Sequence, residues 1–151
     1  LHPDDPPVPS LLGVARIFRG MDSFQRAFEL FDSPAFGALF CVGTWAEGGQ
    51  AMGVDICEAL RLFASQKKLF TVHFRNVTAP LPRFTETFID NGYVDMVTVM
   101  RTLSDVGFDG IVIPDHFPSL IGDSESRAAL ANGIGYMRGL LDAVRPCAAT
   151  K

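Results

Sequence analysis

The chain has 151 residues, 48% hydrophobic and 20% charged, with a net charge of −4 and no basic run, so it reads as one globular domain able to bury a core, and nucleic-acid or anionic-membrane binding is disfavoured. No apolar stretch approaches the roughly 20 residues a membrane helix needs, and Leu1–Pro7 has none of the features of a signal peptide. Cys41, Cys57 and Cys147 are spaced for neither a disulfide framework nor a C-x-x-C zinc pattern, and a reducing cytoplasm is the expected location.

Residues 1–10 hold Pro3, Pro6, Pro7 and Pro9, which excludes helix because proline lacks the donor and forces its predecessor into extended geometry. The segment starts at Leu1-His2 as though a strand ended there, with His2, Asp4 and Asp5 as loop-borne polar groups; a loose polar terminus is the plain alternative. Asp22-Ser23 offers an N-cap, and Phe24, Ala27, Phe28, Leu30 and Phe31 predict a helix over 22–32. Residues 36–43 form a near-continuous apolar run bounded by glycines, suited to a parallel strand buried on both faces, with Cys41 near its C-terminal end. Taken alone, Cys41 also fits as a small buried hydrophobe.

A loop over 44–50 is expected to lead into a second helix, 52–66, whose inward stripe is Ile56, Ala59, Leu60, Leu62 and Phe63, with Cys57 as core packing and Lys67-Lys68 at the negative end of the helix dipole. Residues 69–77 read as a strand in which His73, Arg75 and Val77 share one face. An inward His and Arg are costly to bury without partners, so they suggest a site. Residues 78–94, including Glu86 and Asp90, read as a long functional or mobile connection. A third helix begins at Asp95 as cap and ends at Gly107 as C′ residue. Gly110–Ile113 is a short β-branched strand halted by Pro114, with Asp115 and His116 at once beyond it. A last helix is expected over 125–144, with Leu130, Ile134, Met137, Leu140 and Leu141 inward; Pro146 stops it, and 146–151 is a frayed tail.

Strand and helix alternate four times, with short turns at one end and polar loops at the other. That is α/β architecture, the C-terminal half of a (β/α)8 TIM barrel over residues 1–151. There is neither a glycine-rich phosphate loop nor a G-x-S-x-G elbow. The carboxyl ends of the four strands, where such folds place their chemistry, offer His2, Cys41, His73 and Asp115. Two imidazoles, a thiolate and a carboxylate suit a divalent first-row metal, with Mn2+, Fe2+, Co2+ or Zn2+ all possible by donor type. His116, beside Asp115, is the acid/base candidate.

Five pieces resemble mannonate dehydratase in order and spacing: His2 to Pro7, His73 to Val77, Asp95-Met96 with Val99-Met100, Gly107 to Gly110, and Pro114-Asp115-His116. The resemblance implies the C-terminal half of a xylose-isomerase-like TIM barrel. It also implies dehydration of D-mannonate to 2-keto-3-deoxy-D-gluconate with a divalent metal, commonly Mn2+. By position it makes His2, Cys41, His73 and Asp115 the metal ligands and His116 an acid/base residue. Arg75, in the matching segment, is placed to hold the substrate carboxylate by two parallel hydrogen bonds.

The sequence departs from that family at three points. Phe117-Pro118 stands where Gly-Arg is usual, residues 121–126 lack the family's loop tyrosine, and the strands before His2 are absent. A half barrel exposes a sheet edge and an apolar face, so a missing N-terminal half or a second copy is the expected closing partner, with a homo-oligomer as the expected assembly. A sugar isomerase or epimerase on the same barrel and a non-catalytic, self-associating half barrel are the competing readings.

Overall fold

Leu1 lies extended beside residues 37–39: its amino group donates to the Gly37 carbonyl, and its own carbonyl accepts from the Leu39 N–H, both at 2.6 Å. Beyond the proline-rich loop comes an antiparallel hairpin, β1 (Ser10–Leu11) with β2 (Val14–Ala15). Then follow α1 (Met21–Leu30), β3 (Ala38–Cys41), α2 (Val42–Gly48), a 3-10 turn at Gly49–Met52, α3 (Ile56–Ser65) and β4 (Leu69–His73). A second hairpin, β5 (Asn76–Val77) with β6 (Glu86–Thr87), precedes α4 (Met96–Asp105), β7 (Ile111–Ile113) and α5 (Arg127–Val144). This computed structural model describes residues 1–145, so the expected frayed tail and Cys147 lie outside the described residues.

Strands β3, β4 and β7 form a parallel sheet in that order, with Cys41 opposite His73 and His73 opposite Ile113. Alternation therefore puts Leu39, Cys41, Thr71, His73, Ile111 and Ile113 on one face. The opposite face, Phe40, Val72 and Val112, packs against the helices. Phe40 stacks on Trp45 with ring centroids 4.7 Å apart, and Phe63 meets Phe24, Phe28, Phe40 and Trp45 edge-on or tilted. Burial of each such ring contributes about 1.5–3 kcal/mol. The one polar atom in this cluster, Trp45 Nε1, donates to the Val54 carbonyl at 2.9 Å.

Several local expectations are corrected. Residues 44–50 are helical, not a loop, because Cys41 caps a helix that starts at once after β3: its Sγ accepts from the Thr44 N–H at 3.4 Å. The second predicted helix begins at Ile56, where Asp55 caps it by accepting from Glu58 N–H at 2.8 Å. Helix α1 starts at Met21 with Gly20 as N-cap, and Ser23 Oγ donates to the Gly20 carbonyl instead of capping. Lys68 leaves the end of α3 and donates to Asp32 and the Ser33 carbonyl at 3.0 and 2.9 Å. The strand predicted over 69–77 stops at His73, and Asn76-Val77 pairs into the hairpin that occupies the supposed loop.

On α5, Met137 and Leu140 are buried as expected, but Leu130, Ile134 and Leu141 are exposed. Strand β7 ends the sheet, leaving Ile111 65% exposed. Cys57 is half-buried. Among the described residues, no helix is long and apolar enough to cross a membrane.

Helix α4 is bounded as its sequence predicts. Asp95 Oδ1 accepts from Val97 and Thr98 N–H groups at 3.0 and 3.1 Å, and Oδ2 accepts from the Thr98 hydroxyl. Gly107 takes φ +65° just past the end, a conformation costly to a residue with a Cβ. The Thr98 bonds hold the Asp95 carboxyl below its ordinary 3.8, so its contribution is complete above that pH and fades as pH falls through the lower folded value. Asp95→Ala is expected to lose about 1 kcal/mol in urea unfolding at pH 7, and Asp95→Asn much less. The gap between Asp95→Ala and the parent should narrow at pH 2.5; a constant gap would exclude ionised capping.

Candidate metal centre

The carboxyl ends of the parallel strands converge. His2 follows Leu1, Cys41 ends β3 and His73 ends β4, and one ligand atom from each of these three lies within 4.8 Å of the other two. The two imidazole rings are 5.3 Å apart between centroids and tilted by 53°. His2 Nδ1 sits 2.6 Å from the Pro3 carbonyl oxygen, which can only accept, so Nδ1 carries the proton and Nε2 keeps a lone pair. Fixing one ring nitrogen through a backbone carbonyl is how ligating histidines are commonly oriented. Cys41 is fully buried. Burial pushes its thiol up, but hydrogen bonds from His2 and His73, the Arg75 charge and the Thr44 N–H outweigh burial and bring it to about 6. A thiolate is the form that binds metal. His73 Nδ1 is buried and makes no aligned hydrogen bond, an orphan of the kind a metal or a reoriented partner satisfies.

Asp115, two residues beyond β7, does not join this compact trio. Its Oδ2 stands 3.2 Å from His73 Nδ1 and 3.3 Å from Arg75 Nε. The structure thus gathers three of the four expected ligands and places the fourth against the ring of one of them.

Arg75 occupies the floor of the site at 1% exposure, with every nitrogen facing protein. Nη2 contacts Asp5 Oδ2 at 2.5 Å and Thr44 Oγ1 at 3.2 Å. Nη1 contacts Glu47 Oε1 at 2.8 Å and Glu86 Oε1 at 3.4 Å. The Glu47 contact is close but off the hydrogen-bond axis, so both oxygens of this buried carboxyl lack an aligned donor. Burial, aided by nearby Asp5, raises Glu47 to about 8 against the pull of Arg75. Burial also pulls the guanidinium down, yet Cys41, Glu47 and Asp5 outweigh it and hold Arg75 protonated. Close packing here requires Gly43: a Cβ on it would lie 2.5 Å from Arg75 Cγ.

His116 is half-exposed above Asp115, with Nε2 3.7 Å from Asp115 Oδ2 and Nδ1 2.5 Å from Glu86 Oε1. Burial lowers its pKa, but Glu86 and Asp115 more than compensate, so the net shift is upward.

Sequence reasoning missed the roles of Asp5, Thr44, Glu47 and Glu86. Asp5 and Glu86 were visible only as polar residues in loops, and Glu47 was hidden in a segment misread as loop. The usable signal was position: each lies within a connection leaving the carboxyl end of a parallel strand.

The model of the D-mannonate dehydratase (UxuA) family matches residues 1–151. Mannonate dehydratase 2 of Halalkalibacterium halodurans is 33% identical over 152 residues, covering 95% of this chain and 43% of that protein. The crystal structure of mannonate dehydratase from Streptococcus suis serotype 2 superimposes with a TM-score of 0.82 at 31% identity, covering 95% of this chain and 42% of the other. The chain therefore spans less than half the length of these relatives. A xylose isomerase domain protein from Planctomyces limnophilus shares the fold, with a TM-score of 0.63 at 19% identity over 83% of this chain and 45% of its own. The alternating strands and helices are accordingly part of a xylose-isomerase-like TIM barrel. With a family model matched from first residue to last and a solved member overlaid on the same fold, the chain belongs to the D-mannonate dehydratase family.

Proposed function

We propose that this chain carries the metal-binding and proton-transfer side of an enzyme that dehydrates D-mannonate to 2-keto-3-deoxy-D-gluconate. The observation that carries this reading is the convergence of His2, Cys41 and His73 at the strand ends, with Asp115 and His116 at its rim. His2, Cys41 and His73 would hold a divalent ion, and Asp115, in contact with His73, would complete its surround. Manganese is the ion the family resemblance favours; iron(II), cobalt(II) and zinc also suit these donors. Such an ion would supply Lewis-acid stabilisation for the negative charge that develops beside the substrate carboxylate.

His116 is the proton-transfer residue. With Nδ1–H given to Glu86, Nε2 keeps the lone pair that takes the proton from the carbon next to the carboxylate. The freed C–H pair becomes the double bond of an enol as the neighbouring C–O bond breaks. The departing hydroxyl leaves as water with the proton that His116 took up, and the enol gives up its hydroxyl proton as it gains one at carbon, becoming the keto acid. Arg75, expected to bind the substrate carboxylate, is sequestered among protein carboxylates and acts instead by holding Asp5 and Asp115 in place. The sulfur in the donor set separates this reading from a sugar isomerase or epimerase, which would hold its ion with more carboxylates. The open edge at β7 and the uncovered stripe of α5 are places where the rest of a barrel, or a second copy of the chain, would close the structure.

Two measurements test this reading. Loaded with cobalt(II), the protein should show a near-ultraviolet sulfur-to-metal charge-transfer band that Cys41→Ser lacks. A metal concentration near 100 times Kd should stabilise the parent by about 2.7 kcal/mol, reversed by chelator. In the complete enzyme supplied with Mn2+ and D-mannonate, a 2-keto-3-deoxy acid should accumulate, and His116→Ala should lower kcat by about 10²- to 10⁴-fold. A folded, metal-loaded enzyme that forms no such product would overturn the assignment.

A further inference from the structure

We infer that Glu86 is the positioning residue of the proton-transfer step, fixing the ring orientation and tautomer of His116; this rests on the dehydratase reading of His116. Glu86 Oε1 lies 2.5 Å from His116 Nδ1. An ionised carboxylate can only accept, so the bond places the proton on Nδ1 and leaves the lone pair on Nε2, the nitrogen turned toward Asp115.

The carboxylate is delivered by a braced element. Glu86 opens β6, whose partner strand begins at Asn76, and Asn76 is 1% exposed. Asn76 Nδ2 donates to the Ile89 and Val94 carbonyls, each at 3.0 Å, while its Oδ1 accepts from the Val77 and Val94 N–H groups at 2.9 and 3.2 Å. One buried amide thus ties both ends of the segment that carries Glu86. Arg75 Nη1 approaches the same Oε1 at 3.4 Å, so the oxygen that meets His116 is itself held from below. The pair is partly solvent-exposed, with Glu86 at 38% and His116 at 48%, and pairs of that exposure add little to stability. Its placement is better explained by the state it imposes on the imidazole than by the fold.

A carboxylate oriented this way also bears on the departure after Pro114-Asp115-His116. Residues 121–126 contain no tyrosine, and among the described residues Tyr93 donates to the Ala46 carbonyl while Tyr136 lies on α5. The His116 ring pairs with two carboxylates, Glu86 on Nδ1 and Asp115 near Nε2.

The test uses the complete enzyme, with turnover measured on D-mannonate with Mn2+ and the imidazole nitrogens read by 15N NMR with diamagnetic zinc, His116 being assigned by its absence in His116→Ala. The parent and Glu86→Gln, whose amide oxygen still accepts, should show the Nδ1–H form; Glu86→Ala should shift His116 toward Nε2–H. Turnover should follow the same order, with Glu86→Ala losing about 10- to 100-fold in kcat, Glu86→Gln recovering part of it, and KM, metal content and melting temperature little changed. Unchanged tautomer and kcat in Glu86→Ala, with an active parent, would overturn the inference and leave the dehydratase reading standing. A tautomer shift in an enzyme inactive on D-mannonate would uphold the Glu86–His116 pair and overturn the substrate.

Discussion

A guanidinium buried to 1% exposure is the constraint on which the site depends. Taking such a charge out of water costs several kcal/mol, and the cost is offset only where partners meet it with good geometry. Asp5 does so with an aligned hydrogen bond, while Glu47, Glu86 and Asp115 add close charge contacts, and the four come from four separate segments beyond the carboxyl ends of the strands. One cation therefore cross-links every loop that builds the mouth. Removing any single carboxylate leaves the charge held by the rest, whereas removing Arg75 would leave four acidic groups crowded together. The arrangement needs close approach, which is why Gly43, and no residue with a Cβ, faces the Arg75 stem.

The same charge links the loop network to the His2–Cys41–His73 cluster. Arg75 helps keep Cys41 as a thiolate despite complete burial, alongside hydrogen bonds from both histidines. Its Nε lies 3.3 Å from Asp115, which also contacts His73 and His116. Guanidinium, sulfur and imidazoles thus form one electrostatically coupled cluster. Arg75 itself is enclosed at 1% exposure, so it meets its surroundings only through these protein groups.

What the sequence revealed and what it hid divide along the range of the forces. Alternation and glycine-bounded apolar runs located β3, β4 and β7, because burial on one or both faces is written into consecutive residues. Asp95 and Gly107 marked α4 correctly because capping is a local exchange of hydrogen bonds. His2, Cys41 and His73 were legible as a set because parallel strands deliver their last residues to one end. The hairpin of β5 and β6 was not legible: its brace is Asn76, which bonds residues 13 to 18 positions away. Nor was α2, whose cap is a cysteine, a residue type that carries no usual capping signal. Arg75 read as an inward strand residue because alternation was carried past His73, where the ladder ends.

The helix α5 shows what a pattern can say without a partner. Its apolar residues have the right period, yet Leu130, Ile134 and Leu141 remain exposed while Met137 and Leu140 are buried, so the stripe is wider than the surface this chain presents to it. Strand β7 has the same character: it pairs with β4 on one edge and, among the described residues, with no strand on the other, and Ile111 and Ile113 are exposed on the face that carries Cys41 and His73. Leu1, β3 and β4 bring His2, Cys41 and His73 together, and Asp5, Glu47, Glu86 and Asp115 surround Arg75. Excluding water is different, since it requires the sheet to be covered. Electrostatic stabilisation strengthens as the local dielectric falls. The geometry of the His2–Cys41–His73 cluster is therefore encoded within these residues, while the dielectric around it depends on how far the β7 edge is open to water.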